Sequence, residues 1–423
     1  MAKLEYDKDG RLLFTKEMKQ EYTILAPQML PVHFNMISQC FNKAGYKLKM
    51  LDTNHRGIVD TGLKYVHNDT CYPALLVIGQ LIDALQSGEY DQNKTALMIT
   101  QTGGGCRASN YIHLLRKALK KSGLEHVPVI SLNLSGLEKN PGFKLSLGLL
   151  MKTIYCLAYG DLIMTLRNHC MAYEVTAGDS QKMADKWENI IVDHLGKRGG
   201  LSYKKFKIKL TEIVKDFTTI ELDKSVRKPK IGVVGEIFVK YSPLGNNNLE
   251  EFLFSEGCEV VVPGVIDFVI FKIDNRGEDV KLYGGSRIKG KIVDILQNFT
   301  ISCQTKMREI IEEHSDFEAP VGFEALKKGV KGYLGYGNKM GEGWLLTSEM
   351  IELTLSGADG IVCAQPFGCL PNHVAGKGMI SLIRRNLPST NIVAIDYDPG
   401  ATKINQENRI KLMLANAKKT LSE

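Results

Sequence analysis

Three cysteines stand where their types and spacing could do chemistry. Cys106 ends the run Thr100-Gln101-Thr102-Gly103-Gly104-Gly105-Cys106. An apolar, β-prone stretch, Thr95 to Thr100, precedes that run, and a helix-like stretch, Tyr111 to Lys121, follows. Glycine tolerates positive φ, so such a loop can turn its N–H groups inward around an anion. The helix N-terminus beyond it adds positive dipole and favours a thiolate over a thiol. Cys71, in Asn68-Asp69-Thr70-Cys71-Tyr72-Pro73, and Cys369, in Gln365-Pro366-Phe367-Gly368-Cys369-Leu370-Pro371-Asn372-His373, have comparable settings. We expect the three thiolates to converge on one metal cluster, with Gly103, Gly104 and Gly105 turning N–H groups toward it.

The elements that must place these loops can be read from periodicity. Tyr22 to Ala26 and Tyr46 to Leu51 read as strands around a helical stretch from Pro31 to Gly45, a βαβ unit that implies a parallel sheet. Leu63 to His67 reads as a short strand, followed by a helix from about Pro73 to Ser87 with proline in its first turn. Thr95 to Thr100 and Val127 to Leu132 complete the strands of this half. In open α/β sheets ligands bind beyond the carboxyl ends of the strands, which is where Cys71 and Cys106 would sit.

Residues from Leu145 to about Leu195 read as long helices, with a basic helix after Gly200. A second α/β region begins at Pro229. Its strands are Ile231 to Val234, Glu259 to Pro263, Ala358 to Ala364 and Asn391 to Asp396, with a glycine-rich loop from Gly332 to Gly343. Cys369 again falls between a strand and a helix. The expected fold is therefore α/β, with two doubly wound, mostly parallel sheets. The N-terminal domain would span 1–142, a helical connector 143–225 and the C-terminal domain 226–423.

Composition narrows the function classes. The chain has 423 residues, 44% hydrophobic and 24% charged, which is ordinary for a globular protein with more than one core. Net charge is +7 and is spread along the chain, so the basic run Lys204-Lys205-Phe206-Lys207-Ile208-Lys209 reads as a solvated helix face and no nucleic-acid partner is expected. We find no signal peptide and no window approaching the ~20 apolar residues of a membrane span. With nine cysteines and no small-domain disulfide pattern, a reduced, cytoplasmic protein without a membrane partner is expected.

Thiolates on separate loops suit a cubane [4Fe–4S] cluster with one iron free of cysteine. Zinc is the main competitor, for example in a Cys₂His site using Cys369 and His373. A metal-free site is the third alternative. The remaining cysteines, Cys40, Cys156, Cys258, Cys303 and Cys363, fall in regular elements, where buried free cysteine behaves as a small apolar side chain. Cys170 can be read either way. Glu236, at a strand end, and His373 are the candidate acid–base groups; a solvated carboxylate is the plainer expectation for Glu236, and a helix-cap or surface histidine is an equal alternative for His373. The chain has neither a Walker-type loop nor a G-x-S-x-G elbow, so it is not expected to hydrolyse ATP itself or to act as a serine hydrolase.

The phrases NDTCYPALLVIGQ, QTGGGCRASNY, GEGWLL and QPFGCLPNHVAGKG resemble those of the 2-hydroxyacyl-CoA dehydratase and acyl-CoA dehydratase activase-related family. The resemblance runs from PQMLP at residues 27–31 to the end of the chain. It implies flavodoxin-like domains and an oxygen-sensitive [4Fe–4S] cluster on Cys71, Cys106 and Cys369. It also implies a separate ATP-hydrolysing activator that supplies low-potential electrons, and a second cluster-bearing subunit or a homo-oligomer. In the dehydratases a ketyl radical forms on an acyl-CoA and water is eliminated. The chain would then be a subunit of an ATP-dependent iron–sulfur reductase or dehydratase. The alternatives are a non-catalytic electron relay or scaffold, and a double-cubane reductase of small molecules, for which Cys170 and Cys363 are the spare ligands.

Overall fold

Runs of Ile, Val, Leu and Ala bounded by Gly, Asn and Pro become strands. In the computed structural model, which describes residues 2–101, 105–133, 138–284 and 287–422, they form two four-stranded sheets. The first holds β1 (Thr23–Pro27), β2 (Leu48–Leu51), β3 (Thr95–Gln101) and β4 (Val129–Asn133). The second holds β5 (Lys230–Gly235), β6 (Glu259–Val261), β7 (Gly360–Pro366) and β8 (Ile392–Tyr397). All pairings are parallel, and the two orders, β2-β1-β3-β4 and β6-β5-β7-β8, are the same. This is the doubly wound α/β architecture that the alternation of strand and helix predicts. Each sheet reverses direction of growth once, between β1 and β3 and between β5 and β7. The crevice beyond the carboxyl ends of such a pair is where this architecture binds ligands.

Helices Leu147–Tyr173, Asp179–Gly196 and Tyr203–Phe217 lie between the sheets in sequence. The first packs on the Pro31–Lys43 helix, on β6 and on the Val265–Tyr283 and Arg287–His314 pair. Asp161 on that helix joins the two halves. Its carboxylate accepts from the Val265 and Ile266 N–H groups, each at 2.9 Å, and pairs with His33 Nε2 at 2.8 Å. Two N–H groups at a helix start are thereby satisfied from another element.

Leu147–Tyr173 corrects the reading that no stretch suits a membrane span. By length and composition it is apolar enough, but 67% of its most apolar window is buried against protein. It serves here as a core helix.

A second correction concerns Leu63 to His67, expected as a strand. Leu63 to Tyr65 end the Arg56–Tyr65 helix instead. Ile58, Val59 and Gly62 are buried at helical spacing against the Tyr72–Gln86 helix, and that packing overrides the local β propensity. The two helices cross where neither has a side chain. A Cβ on Gly62 would lie 2.4 Å from the Leu75 carbonyl oxygen, and one on Gly79 would lie 2.3 Å from that of Ile58. Gly79→Ala is expected to lower unfolding stability by about 1–3 kcal/mol through overpacking, read from denaturant midpoints. Because Cys71 immediately precedes the second helix, the shift would be carried to its sulfur.

Candidate metal centre

Each of the three cysteines is the residue just before a helical turn. Cys71 precedes Tyr72–Gln86, Cys106 precedes the 3-10 turn Arg107–Asn110 that runs into helix Tyr111–Lys121, and Cys369 precedes Leu370–Ala375. Cys106 follows β3 and Cys369 follows β7, both strands at a sheet's reversal point. Cys71 lies between two helices rather than after a strand.

Short contacts stitch these segments together. The Tyr72 N–H donates to the Phe367 carbonyl at 3.0 Å, and Arg107 donates to the Asp69 carbonyl. Gly368, at φ +71, leaves room for its neighbours. A Cβ there would lie 3.1 Å from Cys71 Cα and 3.3 Å from the Arg107 guanidinium. The Gly105 N–H donates to Met340 Sδ at 3.1 Å, so it is taken by that sulfur and not turned toward the cysteines as expected. Gly103 and Gly104 lie outside the described residues.

Burial differs among the sulfurs. Cys71 and Cys369 are 4% and 6% exposed, and Cys106 is half-buried. Tyr111 Oη lies 3.0 Å from Cys71 Sγ, and Asn372 Nδ2 donates to Cys369 Sγ at 3.3 Å. The N–H groups of Ala74, Ala108 and Asn372 each favour the thiolate of the cysteine two or three residues earlier, without closing a full capping hydrogen bond. Burial nevertheless dominates. It pushes the Cys71 thiol up to about 11, with the charges of Glu236 and Cys106 adding to the rise. It also raises Cys106, helped by Glu342 and Glu236. Cys369 is driven well above the usual thiol range by burial, then by Glu342, Glu236 and Cys106.

Two carboxylates face the sulfurs. Glu236 follows β5 and is buried, which corrects the expectation that it is solvated. It accepts from the Val239 N–H at 2.9 Å, and burial with the neighbouring Glu342 pushes its carboxyl up to about 8. Glu342, also buried, accepts from the Ile237 N–H at 3.0 Å and from Asn372 Nδ2 at 2.8 Å. Lys272 donates to the Gly341 carbonyl. Burial lowers its ammonium while Glu342 and Cys106 hold it up.

The Glu236 shift has a measurable consequence. An unfolded chain releases this proton near the ordinary 4.5, and the folded chain keeps it until about 8. Folding stability therefore falls as pH rises between those values. Asp267, also pushed up to about 8 by burial, acts in the same direction. Glu236→Gln is expected to make the decline shallower without abolishing it, as read from denaturation midpoints between pH 5 and 8.

The other candidates lie elsewhere. The His373 side chain is exposed, and its N–H donates to the Cys369 carbonyl at 3.1 Å. Cys170 is fully buried in the Leu147–Tyr173 helix, and Cys363 lies inside β7 in an apolar cluster with Val234 and Leu346. Cys40 and Cys156 sit 3.8 Å apart between two core helices. Cys258 and Cys303 are buried in the apolar cores.

Sequence reasoning missed Glu342, Lys272, Asn372 and Tyr111. Glu342 stands inside GEGWLL, Asn372 inside QPFGCLPNHVAGKG and Tyr111 at the end of QTGGGCRASNY, so three of the four lay in phrases already singled out. Their side-chain directions carry no sequence signal.

The donor set fits an iron–sulfur core. Three soft thiols lie near two carboxylates whose charge opposes their ionisation, and among the described residues the buried Asn372 Oδ1 has no partner. A positively charged core relieves that repulsion and takes the sulfurs as thiolates. Among the described residues, no group of three His, Cys, Asp or Glu closes around a single ion. A cubane is wider than an ion and offers a different iron to each thiolate, so its ligands need not meet at one point.

A comparison with protein-family models found no match, and a comparison with curated proteins found none either.

Proposed function

We propose that Cys71, Cys106 and Cys369 hold a [4Fe–4S] cluster, and that the chain takes low-potential electrons from an ATP-hydrolysing activator and delivers them to a small-molecule substrate, with acyl-CoA as the class. The observation that carries this reading is the meeting of three cysteine segments, remote in sequence, around Gly368. When bound, the cluster supplies single-electron transfer, with the iron that has no cysteine open to substrate.

The chain's own residues divide the remaining work. Glu236 keeps a proton on its carboxyl up to about pH 8, close to all three sulfurs, and can give it to a substrate that has gained an electron. Glu342, held by two donors, keeps Asn372 turned toward Cys369. Lys272 sets a positive charge near Cys106 and steadies an anionic substrate group. The half-buried Cys106 leaves this edge the more open one, and the two other sulfurs are screened from water.

A second reading, an electron relay completed by another subunit or by a second copy of the chain, is favoured by one observation. Phe367, Leu370 and Val374, beside Cys369, are 48%, 70% and 47% exposed. Exposed apolar side chains grouped beside a redox site suit a covering protein. The two readings separate on one experiment. Acyl-CoA added to the dithionite-reduced, anaerobic protein should alter the cluster's EPR signal if substrate reaches the open iron. An unchanged signal removes acyl-CoA as the substrate class and leaves the relay.

A further inference from the structure

Tyr111 is given no role in the function proposed above, yet its side chain reaches one of the three sulfurs. Its hydroxyl lies 3.0 Å from Cys71 Sγ, and the residue is 9% exposed. It begins the helix that follows the Cys106 turn, so the contact ties the Cys106 segment to the sulfur of a different segment. An ordinary phenol is protonated at neutral pH. Opposite a thiolate, a protonated phenol can only donate.

We infer that the Tyr111 hydroxyl donates a hydrogen bond to the Cys71 thiolate and thereby sets the reduction potential of the centre bound at Cys71, Cys106 and Cys369. The inference rests on the iron–sulfur reading above. A donor to a ligating sulfur withdraws charge from the centre and stabilises the reduced state, which carries one more negative charge, more than the oxidised state. The potential therefore rises. A neutral donor matters here because Glu342 pushes the other way, adding negative charge near Cys106 and Cys369. Asn372 plays the matching part at Cys369, but it shares its amide with Glu342. The phenol has no such divided duty and is the cleaner test.

Tyr111→Phe keeps the ring and its packing and removes only the donor. The anaerobic protein is titrated with dithionite and followed by EPR, beside Tyr155→Phe, a buried tyrosine in the helical core. The expected result is unchanged iron and sulfide content with a midpoint potential shifted negative for Tyr111→Phe alone. Placing 3-fluorotyrosine at position 111, a stronger donor of nearly the same size, should shift the midpoint positive. This second variant keeps the test open should the phenylalanine variant misfold. If both variants hold wild-type iron at the wild-type potential, the inference is overturned while the cluster assignment stands. If the wild-type chain binds no iron and sulfide, the assignment falls and this inference falls with it.

Discussion

Replacing Cys71, Cys106 or Cys369 with serine should remove nearly all bound iron and sulfide from anaerobically prepared protein. The same change at Cys258 or Cys303 should leave both in place. Serine nearly matches cysteine in size, so packing is disturbed little, but its hydroxyl is a poor ligand for iron beside the thiolate it replaces. The contrast follows from position. The first three cysteines each precede a helical turn and lie near the Glu236 carboxyl, whereas Cys258 and Cys303 are buried outside that group. Loss of iron from all five variants would point to general instability, and loss from none would empty the site of its meaning.

Gly368→Ala should abolish cluster assembly without altering any ligand. Gly368 has φ +71, a conformation that costs an L-residue roughly 1–2 kcal/mol. A Cβ would also stand 3.1 Å from Cys71 Cα and 3.3 Å from the Arg107 guanidinium. The cysteine segments must then move apart, and a cluster tolerates little movement of its ligands. Gly357→Ala is the matched control. Gly357 has φ +75 but nothing within 4 Å of the added atom. Both variants should fold with wild-type circular dichroism, and only Gly368→Ala should lose its iron. Equal iron in both would mean that the segments around Gly368 do not hold the cluster.

These predictions depend on features that the sequence reveals unequally. The two sheets were legible because apolar strands and helical runs alternate and glycine or asparagine marks their ends. The placing of Cys106 and Cys369 after strands followed from that alternation. Cys71 falls at a helix entry, as its sequence setting implies, but the element before it differs from the expected strand, because Leu63, Tyr65 and Val66 mimic a strand when taken alone. The burial of Ile58, Val59 and Gly62 against the Tyr72–Gln86 helix holds that segment helical. Glu236 is legible as a candidate but reads as solvated, because burial of a strand-end carboxylate depends on what distant segments lay over it. Here that cover includes the segment of Glu342, which accepts from the Ile237 N–H 105 residues earlier. Lys272 and Tyr111 sit on ordinary amphipathic helices, and no local pattern distinguishes a side chain aimed at a sulfur from one aimed at the core.

The most direct measurement is the iron, acid-labile sulfide and zinc content of the wild-type chain purified without oxygen, together with its EPR spectrum after reduction. The account predicts iron and sulfide in equal amounts, matching one [4Fe–4S] cluster per chain, and an EPR signal on one-electron reduction. Stoichiometric zinc without sulfide, or no metal after anaerobic reconstitution with iron and sulfide, would contradict it.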